Sequence, residues 1–197
     1  GRVSAPDYIF LNSVADLWEH AYKNVLAYAA KQSIPFAFSP GSRQLDSMNE
    51  LVTNAVKKSE IFFSNKEEAQ KILTAVQKPT AEMKEILHNL AELGPKVVSV
   101  TDGKNGGYAR DADGSVFHIA SYDPDFVSED KTGAGDAYAS GFFAAHILGK
   151  DIKTAMMWGA VNAHAVMGKL GAQAGLLTPK ELQNMLEARP DFRAEKM

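Results

Sequence analysis

The sequence predicts an α/β protein with a mostly parallel sheet. Over the first hundred positions, short apolar or β-branched runs alternate with longer segments that have helical apolar spacing. Alternating strands and helices form βα units, and the strands of such units lie parallel. The chain has 197 residues, of which 45% are hydrophobic and 23% charged, so it is long enough and apolar enough to bury one core.

The first elements follow from run length and spacing. Residues 8–11 form a short apolar run that suits a buried strand, and residues 15–32 have apolar side chains at helical intervals. The same alternation then predicts a strand at 36–39, a helix at 45–58, a strand at 61–64 and a helix at 66–74. A helix at 81–93 ends at a Gly-Pro pair and leads into a β-branched strand at 96–101.

Residues 107–120 break the alternation. Two short apolar-polar runs flank an Asp-Ala-Asp-Gly turn, which predicts a β-hairpin at the sheet edge. Asp111 and Asp113 also suggest calcium, but an EF-hand loop needs further oxygen ligands and a distal Glu, so the turn is favoured.

The rest of the chain is predicted to be helical, with helices at 134–148, 152–168 and 179–188. Thr178 caps the last helix and Pro179 occupies its first position. The helix at 134–148 carries small residues along one side, so we expect it to pack closely against the sheet.

The most informative segment is 130–136, Asp-Lys-Thr-Gly-Ala-Gly-Asp, because a helix begins inside it. The first N–H groups of a helix lack intrahelical partners and lie at the positive end of its dipole. Gly133, Ala134 and Gly135 have almost no side chain, so a phosphoryl group can approach these N–H groups. Asp136 stands beside them as a proton acceptor.

A simpler interpretation remains open for the same residues. Thr132 or Asp136 would act only as a helix cap, and the glycines would only shape the turn.

Segment 130–136 resembles the Asp-x-x-Gly-Ala-Gly-Asp signature of the ribokinase-like (PfkB) family of carbohydrate and nucleoside kinases. The resemblance implies a three-layer α/β/α sandwich, ATP and Mg²⁺ as cofactors, and transfer of the γ-phosphate to a hydroxyl of a sugar, sugar acid or nucleoside. It implies that Asp136 is the catalytic base and that Gly133, Ala134 and Gly135 form the anion hole. It covers the C-terminal part of the family, so residues 1–197 are expected to be a nucleotide-binding portion without the N-terminal part and lid.

Two further segments resemble family motifs at nucleotide and metal sites. Asn65 and Glu68, directly after a predicted strand, match an Asn-x-x-Glu motif associated with magnesium and phosphate, with Glu68 acting directly or through water. An Asn cap followed by acids in the first helical turn explains these residues equally well. Thr101 and Gly103 resemble a Thr-x-Gly stretch that meets nucleotide phosphates; the alternative is a glycine-rich turn between strands.

In the helix at 152–168, Asn162 resembles the asparagine near the adenine pocket of the family, although a nearby backbone group would satisfy its amide as well. His164 is expected to be packed or exposed rather than a metal ligand, because no second metal ligand lies at a suitable spacing.

Residues 169–175 resemble a loop that, with the first Asp of the signature, frames a monovalent-cation site. Asp130 is therefore a candidate potassium ligand, although Gly175 removes one side-chain oxygen that some members have. Residues 39–43 resemble a loop of sugar-acid and fructose kinases, in which Arg43 would meet an anionic substrate or phosphate. The alternative is a surface arginine paired with Asp46 or Glu50.

Composition narrows the partners and the compartment. A net charge of -3 and a pI near 6.0 argue against a nucleic-acid or membrane surface and favour a small-molecule substrate; a homodimer is left open. The absence of cysteine excludes disulfides and fits a cytoplasmic enzyme, as does the lack of a signal peptide. Because the chain opens at Gly1-Arg2 without Met, we expect a processed, tagged or partial chain. The alternative functions are a nucleotide-binding or regulatory module and an inactive fragment.

Overall fold

The computed structural model describes residues 4–197, so the opening Gly1-Arg2 lies outside the described residues. The chain divides into two compact units, Gly1–Ser99 and Val100–Met197. Within residues 4–197, no helix combines the length and the apolar character needed to cross a bilayer.

The first unit alternates strands and helices as predicted. Its elements are β1 (Ile9–Leu11), α1 (Trp18–Gln32), β2 (Phe36–Phe38), α2 (Ser42–Ser47), α3 (Glu50–Lys58), β3 (Ile61–Asn65), α4 (Lys66–Ala75) and α5 (Met83–Glu92). β1 pairs with β2 and β2 with β3, both in parallel, with Ile9 opposite Phe36 and Ala37 opposite Ile61. The prediction of parallel βα units is confirmed here.

The single helix predicted at 45–58 is wrong, because two helices occupy this region. Met48 ends α2 in the left-handed conformation, with φ 35°. Asn49 then starts α3, and its side chain accepts the N–H of Val52 at 3.1 Å. The Asn cap begins a second helix, which continuous apolar spacing does not reveal.

The first unit is held together by a row of buried aromatic rings. Tyr22, on α1, is fully buried and meets Trp18 and Phe38 edge to face, with ring centroids 5.3 and 5.6 Å apart. Phe38, on β2, continues the row to Phe62 on β3 at 6.1 Å. These contacts fix α1 against the strands.

The second unit contains the hairpin and the last three helices. β4 (Val97–Thr101) crosses the boundary between the units, and a 3-10 turn follows at Gly103–Asn105. The remaining elements are β5 (Gly107–Arg110), β6 (Val116–Ile119), α6 (Ala134–Ile147), α7 (Ile152–Met167), α8 (Pro179–Glu187) and β7 (Glu195–Lys196).

The predicted hairpin is present, but its place at the sheet edge is wrong. β5 and β6 are antiparallel, with Tyr108 opposite His118. β6 also pairs with β7, where Phe117 lies opposite Lys196, so the hairpin has a further strand beside it. A two-residue strand is too short to carry an apolar pattern, and the sequence did not predict it.

The small residues of α6 make their closest approach to α7. A Cβ at Gly141 would lie 2.8 Å from the backbone oxygen of Trp158, and a Cβ at Gly159 would lie 2.9 Å from that of Tyr138. The expectation that these residues face the sheet therefore needs correction. Glycine at both positions allows the two backbones to approach each other.

Gly141→Ala is expected to lower the free energy of unfolding by about 1–3 kcal/mol, because the new methyl group meets rigid backbone. Gly135→Ala is the matched control on the same helix. Its Cβ meets no atom within 4 Å, so the free energy of unfolding should stay equal or rise by about 0.5–1 kcal/mol. Urea unfolding measures both, and equal stability of the two variants would contradict the packing described here.

Candidate functional site

The turn at 130–136 leads into α6 without a side-chain cap. The N-cap residue is Gly133, in the left-handed conformation with φ 79°, which glycine adopts at low cost. Glycine has no side chain with which to cap the helix. The interpretation in which Thr132 is the N-cap residue is therefore wrong, and the one in which Asp136 acts only as a cap stays a prediction.

The N–H groups of the turn differ in availability. The N–H of Ala134 donates to the carbonyl oxygen of Lys131 at 3.2 Å. Within residues 4–197, the N–H groups of Gly133 and Gly135 have no hydrogen-bond partner. Gly135 is also exposed, with open space where a side chain would start. Its N–H is therefore accessible at the positive end of the α6 dipole.

The exposed face of this turn borders a cavity of about 250 Å³ in the second unit. Four of the residues singled out in the sequence share its wall: Thr101, Gly103, Ala134 and Gly135. Gly133 packs behind the turn, where an added Cβ would lie 2.7 Å from the Cβ of Ala172. Asp136, next after Gly135 in the first turn of α6, has an exposed side chain.

Two lysines in the wall were missed as functional candidates. Lys104 and Lys131 both line the cavity, and neither forms an ion pair with the part of the chain that the structure describes. Their positions in the sequence could have identified them as candidates, because Lys104 directly follows Gly103 and Lys131 directly follows Asp130. Two cations beside a helix N-terminus make this part of the cavity suited to an anion.

Another part of the wall is aromatic and was also missed. The ring of His164, on α7, lies 4.9 Å from that of Tyr122 and 4.4 Å from that of Phe126. Burial lowers the pKa of His164, Asp123 opposes this effect and Arg189 adds to it. The half-buried histidine is packed between rings, one of the two positions expected for it.

Asp130 joins the signature turn to the loop at 169–175. Its Oδ1 accepts the N–H of Thr132 at 2.8 Å, and its Oδ2 accepts the N–H of Gly171 at 3.1 Å. Hydrogen bonds from Thr132, and then from Gly171, lower the pKa of Asp130. The turn and the loop that the family resemblance associates are in contact, and the potassium role of Asp130 stays a prediction.

Asn65 and Glu68 form a reciprocal capping box at the start of α4, in the first unit. The side-chain oxygen of Asn65 accepts the N–H of Glu68, and the Glu68 carboxylate accepts the N–H of Asn65, both at 2.9 Å. The cap interpretation is thus realised. The magnesium role stays a prediction, and carboxylate and amide oxygens fit Mg²⁺ that keeps several waters.

Asn162 is buried, and both ends of its amide bond to the backbone. Its Nδ2 donates to the carbonyl oxygen of Ala137 at 2.8 Å, and its Oδ1 accepts the N–H of Leu177 at 3.0 Å. The neighbours Ala160 and Ala163 line the cavity on the same helix. Backbone groups therefore satisfy this side chain, and its adenine role stays a prediction.

Arg43 pairs with neither of its expected partners. Its Nη1 lies 2.9 Å from Oδ1 of Asp16 and donates to the carbonyl oxygen of Ala15 at 3.0 Å. Asp46 lies 3.6 Å from the Lys71 ammonium group instead. The pairing with Asp46 or Glu50 is wrong, because the sequence does not show that the segment before α1 lies beside α2. The substrate role of Arg43 stays a prediction.

A known protein family matches most of this chain. The model of the pfkB family of carbohydrate kinases matches residues 2–179. The chain belongs to the pfkB carbohydrate kinase family. Its fold is the ribokinase-like α/β fold with a mostly parallel mixed sheet, as the signature implied.

The curated relatives include a 5-dehydro-2-deoxygluconokinase and a nucleoside kinase. The chain is 35% identical over 94 residues to a 5-dehydro-2-deoxygluconokinase of Bacillus subtilis, covering 47% of the chain and 28% of that protein. It is 30% identical over 140 residues to a nucleoside kinase of Methanothermobacter thermautotrophicus, covering 71% of the chain and 42% of that protein. The matches therefore span less than half the length of these relatives.

Solved structures of the family share the fold at low identity. A ribokinase of Thermotoga maritima has a TM-score of 0.75 at 21% identity, covering 92% of the chain and 57% of that protein. A nucleoside kinase of Methanocaldococcus jannaschii has a TM-score of 0.76 at 22% identity, covering 96% and 58%. An E. coli protein assigned as a ribokinase II, solved with ATP and Mg²⁺, has a TM-score of 0.79 at 18% identity, covering 93% and 59%.

Proposed function

We propose that this chain carries the ATP-binding and phosphoryl-transfer part of a kinase that phosphorylates a hydroxyl of a sugar, sugar acid or nucleoside. The observation that carries the proposal is the shared cavity. An uncapped glycine turn, two lysines without ion-pair partners among residues 4–197, and aromatic rings all border it. A nucleotide has matching parts, because its phosphates are anionic and its base is flat and aromatic.

The phosphate part of the site rests on backbone and charge. The N–H of Gly135, exposed at the start of α6, would donate to a phosphoryl oxygen, and Lys104 and Lys131 would balance the remaining charge. Because such donors are already in place, they would stabilise the charge of the transferring group without reorganisation. Gly133 holds the turn in the conformation that exposes these donors.

Asp136 would orient the acceptor hydroxyl and take its proton as the new P–O bond forms and the bond to ADP breaks. Asp136 directly follows Gly135 in the first turn of α6, and this position supports its role as the base.

Magnesium would neutralise charge on the ATP phosphates, and ATP with Mg²⁺ is bound in the E. coli relative. We assign Asn65 and Glu68 to this ion, through water, on the basis of their motif. Potassium at Asp130 is a separate proposal, based on its contact with the loop at 169–175.

The names of the relatives support the proposed acceptor class. They act on a deoxygluconate derivative or on nucleosides, and Arg43 would favour an anionic acceptor over a neutral one.

The proposal predicts how the melting temperature depends on ligand charge. With Mg²⁺ present, ATP should stabilise the chain most, ADP less, and AMP and adenosine least, because the turn and the two lysines would bind the phosphates. A ligand present at 100 times its Kd adds about 2.7 kcal/mol to the free energy of unfolding. The double variant Lys104→Met/Lys131→Met should reduce the ATP effect and leave the adenosine effect unchanged. Lys180→Met, an exposed lysine on α8, is the control. No shift with ATP at millimolar concentration would overturn the proposal.

A further inference from the structure

Residues of α8 and of the segment after it contact Tyr122, which lines the cavity. The guanidinium group of Arg189 donates to the carbonyl oxygen of Tyr122, and its carbon lies 5.0 Å from the centroid of the Tyr122 ring. The Tyr122 hydroxyl donates to the carbonyl oxygen of Met185 at 3.1 Å. Phe192 closes the cluster edge to face with Tyr122 at 5.0 Å. Tyr122 is thus held at its carbonyl, its ring and its hydroxyl.

Tyr122 belongs to an irregular loop, residues 120–126, that forms much of the wall. Five of its residues besides Tyr122 line the cavity: Ala120, Ser121, Asp123, Pro124 and Phe126. The loop contains neither helix nor strand, so its shape depends on contacts with its surroundings. On the cavity side, the Tyr122 ring lies against His164, which in turn lies against Phe126. A displacement of Tyr122 would therefore move all three aromatic rings.

Arg189 has few other interactions that would account for its position. Its ion pair with Asp191 is long, 3.7 Å, and the Asp191 side chain is 76% exposed, so this pair contributes little. Its guanidinium group also lies 6.0 Å from the centroid of the Phe192 ring. The planar guanidinium group bonds to the Tyr122 carbonyl and packs over both rings at once, a combination that lysine reproduces only in part.

We propose that Arg189 is a positioning residue for ligand binding. It acts through Tyr122 to hold the aromatic part of the cavity in the shape that receives the base of a nucleotide. This inference rests on the proposed function, since it assumes that the cavity takes a nucleotide. Lys104, Lys131 and the turn at Gly135 serve the phosphates, whereas Arg189 serves the base and touches no ligand atom.

The test is calorimetric titration of the chain with Mg·ATP and with adenosine. Arg189→Met keeps an unbranched side chain but removes the charge and the donors. It should weaken both ligands by the same factor, about tenfold, because both carry the base. Arg193→Met is the matched control, since Arg193 is exposed and, among residues 4–197, its side chain bonds only to the nearby Pro190 carbonyl oxygen. Its affinities should equal those of the unmodified chain.

Other outcomes would contradict the positioning role of Arg189 or the proposed function. Unchanged affinity in Arg189→Met, or a loss for ATP alone, overturns the positioning role. Binding of neither ligand by the unmodified chain at millimolar concentration overturns the proposed function and the role of Arg189 with it. If Arg189→Met does not fold, Arg189→Lys decides, because it keeps the charge above the rings: it should weaken both ligands by a smaller common factor, and unchanged affinities would overturn the role.

Discussion

Asp136→Asn is expected to reduce phosphoryl transfer by about 10²–10⁴-fold while leaving the affinity for ATP nearly unchanged. Asparagine has almost the same size as aspartate but cannot accept the hydroxyl proton. The residue lies in the first turn of α6 and its side chain is exposed, so the change should leave the packing of the helix intact. Effects on transfer and on binding should therefore separate.

Two quantities are measured on protein that shows phosphoryl transfer. They are kcat, from ADP formation, and the Kd of Mg·ATP. Asp7→Asn is the matched control, because Asp7 is exposed and has no role in the proposed site. Turnover within a few-fold of the unmodified protein would remove Asp136 from the role of base. A parallel loss of ATP affinity would mean that Asp136 contributes to binding rather than to proton transfer.

Gly135→Asp is expected to weaken ATP binding by about 30-fold or more, equivalent to about 2 kcal/mol, because it places a negative charge in the wall that should receive the phosphates. The fold should tolerate the change, since a Cβ at this position meets no atom within 4 Å. Adenosine, which carries no phosphate, should lose much less affinity.

Gly135→Asn controls for the volume of the new side chain. It has nearly the same shape without the charge, so the difference between the Asp and Asn variants isolates the electrostatic part. That difference should shrink at high salt, as it does for exposed charges. Equal ATP affinity of the two variants would show that no phosphate lies near the start of α6.

The sequence correctly predicted the features that depend on residues close together in the chain. Strand and helix alternation in the first unit, the hairpin at β5 and β6, and the start of α6 at Ala134 all follow from local spacing and glycine placement. The four cavity residues Thr101, Gly103, Ala134 and Gly135 were found because each lies in a short motif where a strand ends or a helix begins. Local chemistry indicated Ala134 and Gly135, whereas Thr101 and Gly103 came from their resemblance to a family motif.

Features that depend on distant residues were missed. The ion pair between Arg43 and Asp16 joins positions 27 residues apart, and Arg189 meets Tyr122 across 67 residues. The aromatic part of the wall unites rings from the loop at 120–126 and from α7, which no pattern in one segment connects. The helix breaks at Met48 because this residue has a left-handed backbone conformation and Asn49 then caps a second helix. The apolar pattern on both sides is helical and does not indicate this break.

The proposed function depends on the glycine turn at the start of α6, which would bind the phosphates of a nucleotide through its backbone N–H groups. Titration of the ¹⁵N-labelled chain with Mg·ATP, followed by ¹H–¹⁵N NMR, tests it most directly, because the amide of Gly135 reports on its own hydrogen bond. We predict that this amide signal moves saturably with ATP and far less with adenosine. A Gly135 signal that stays in place while ATP saturates the chain would contradict the claim.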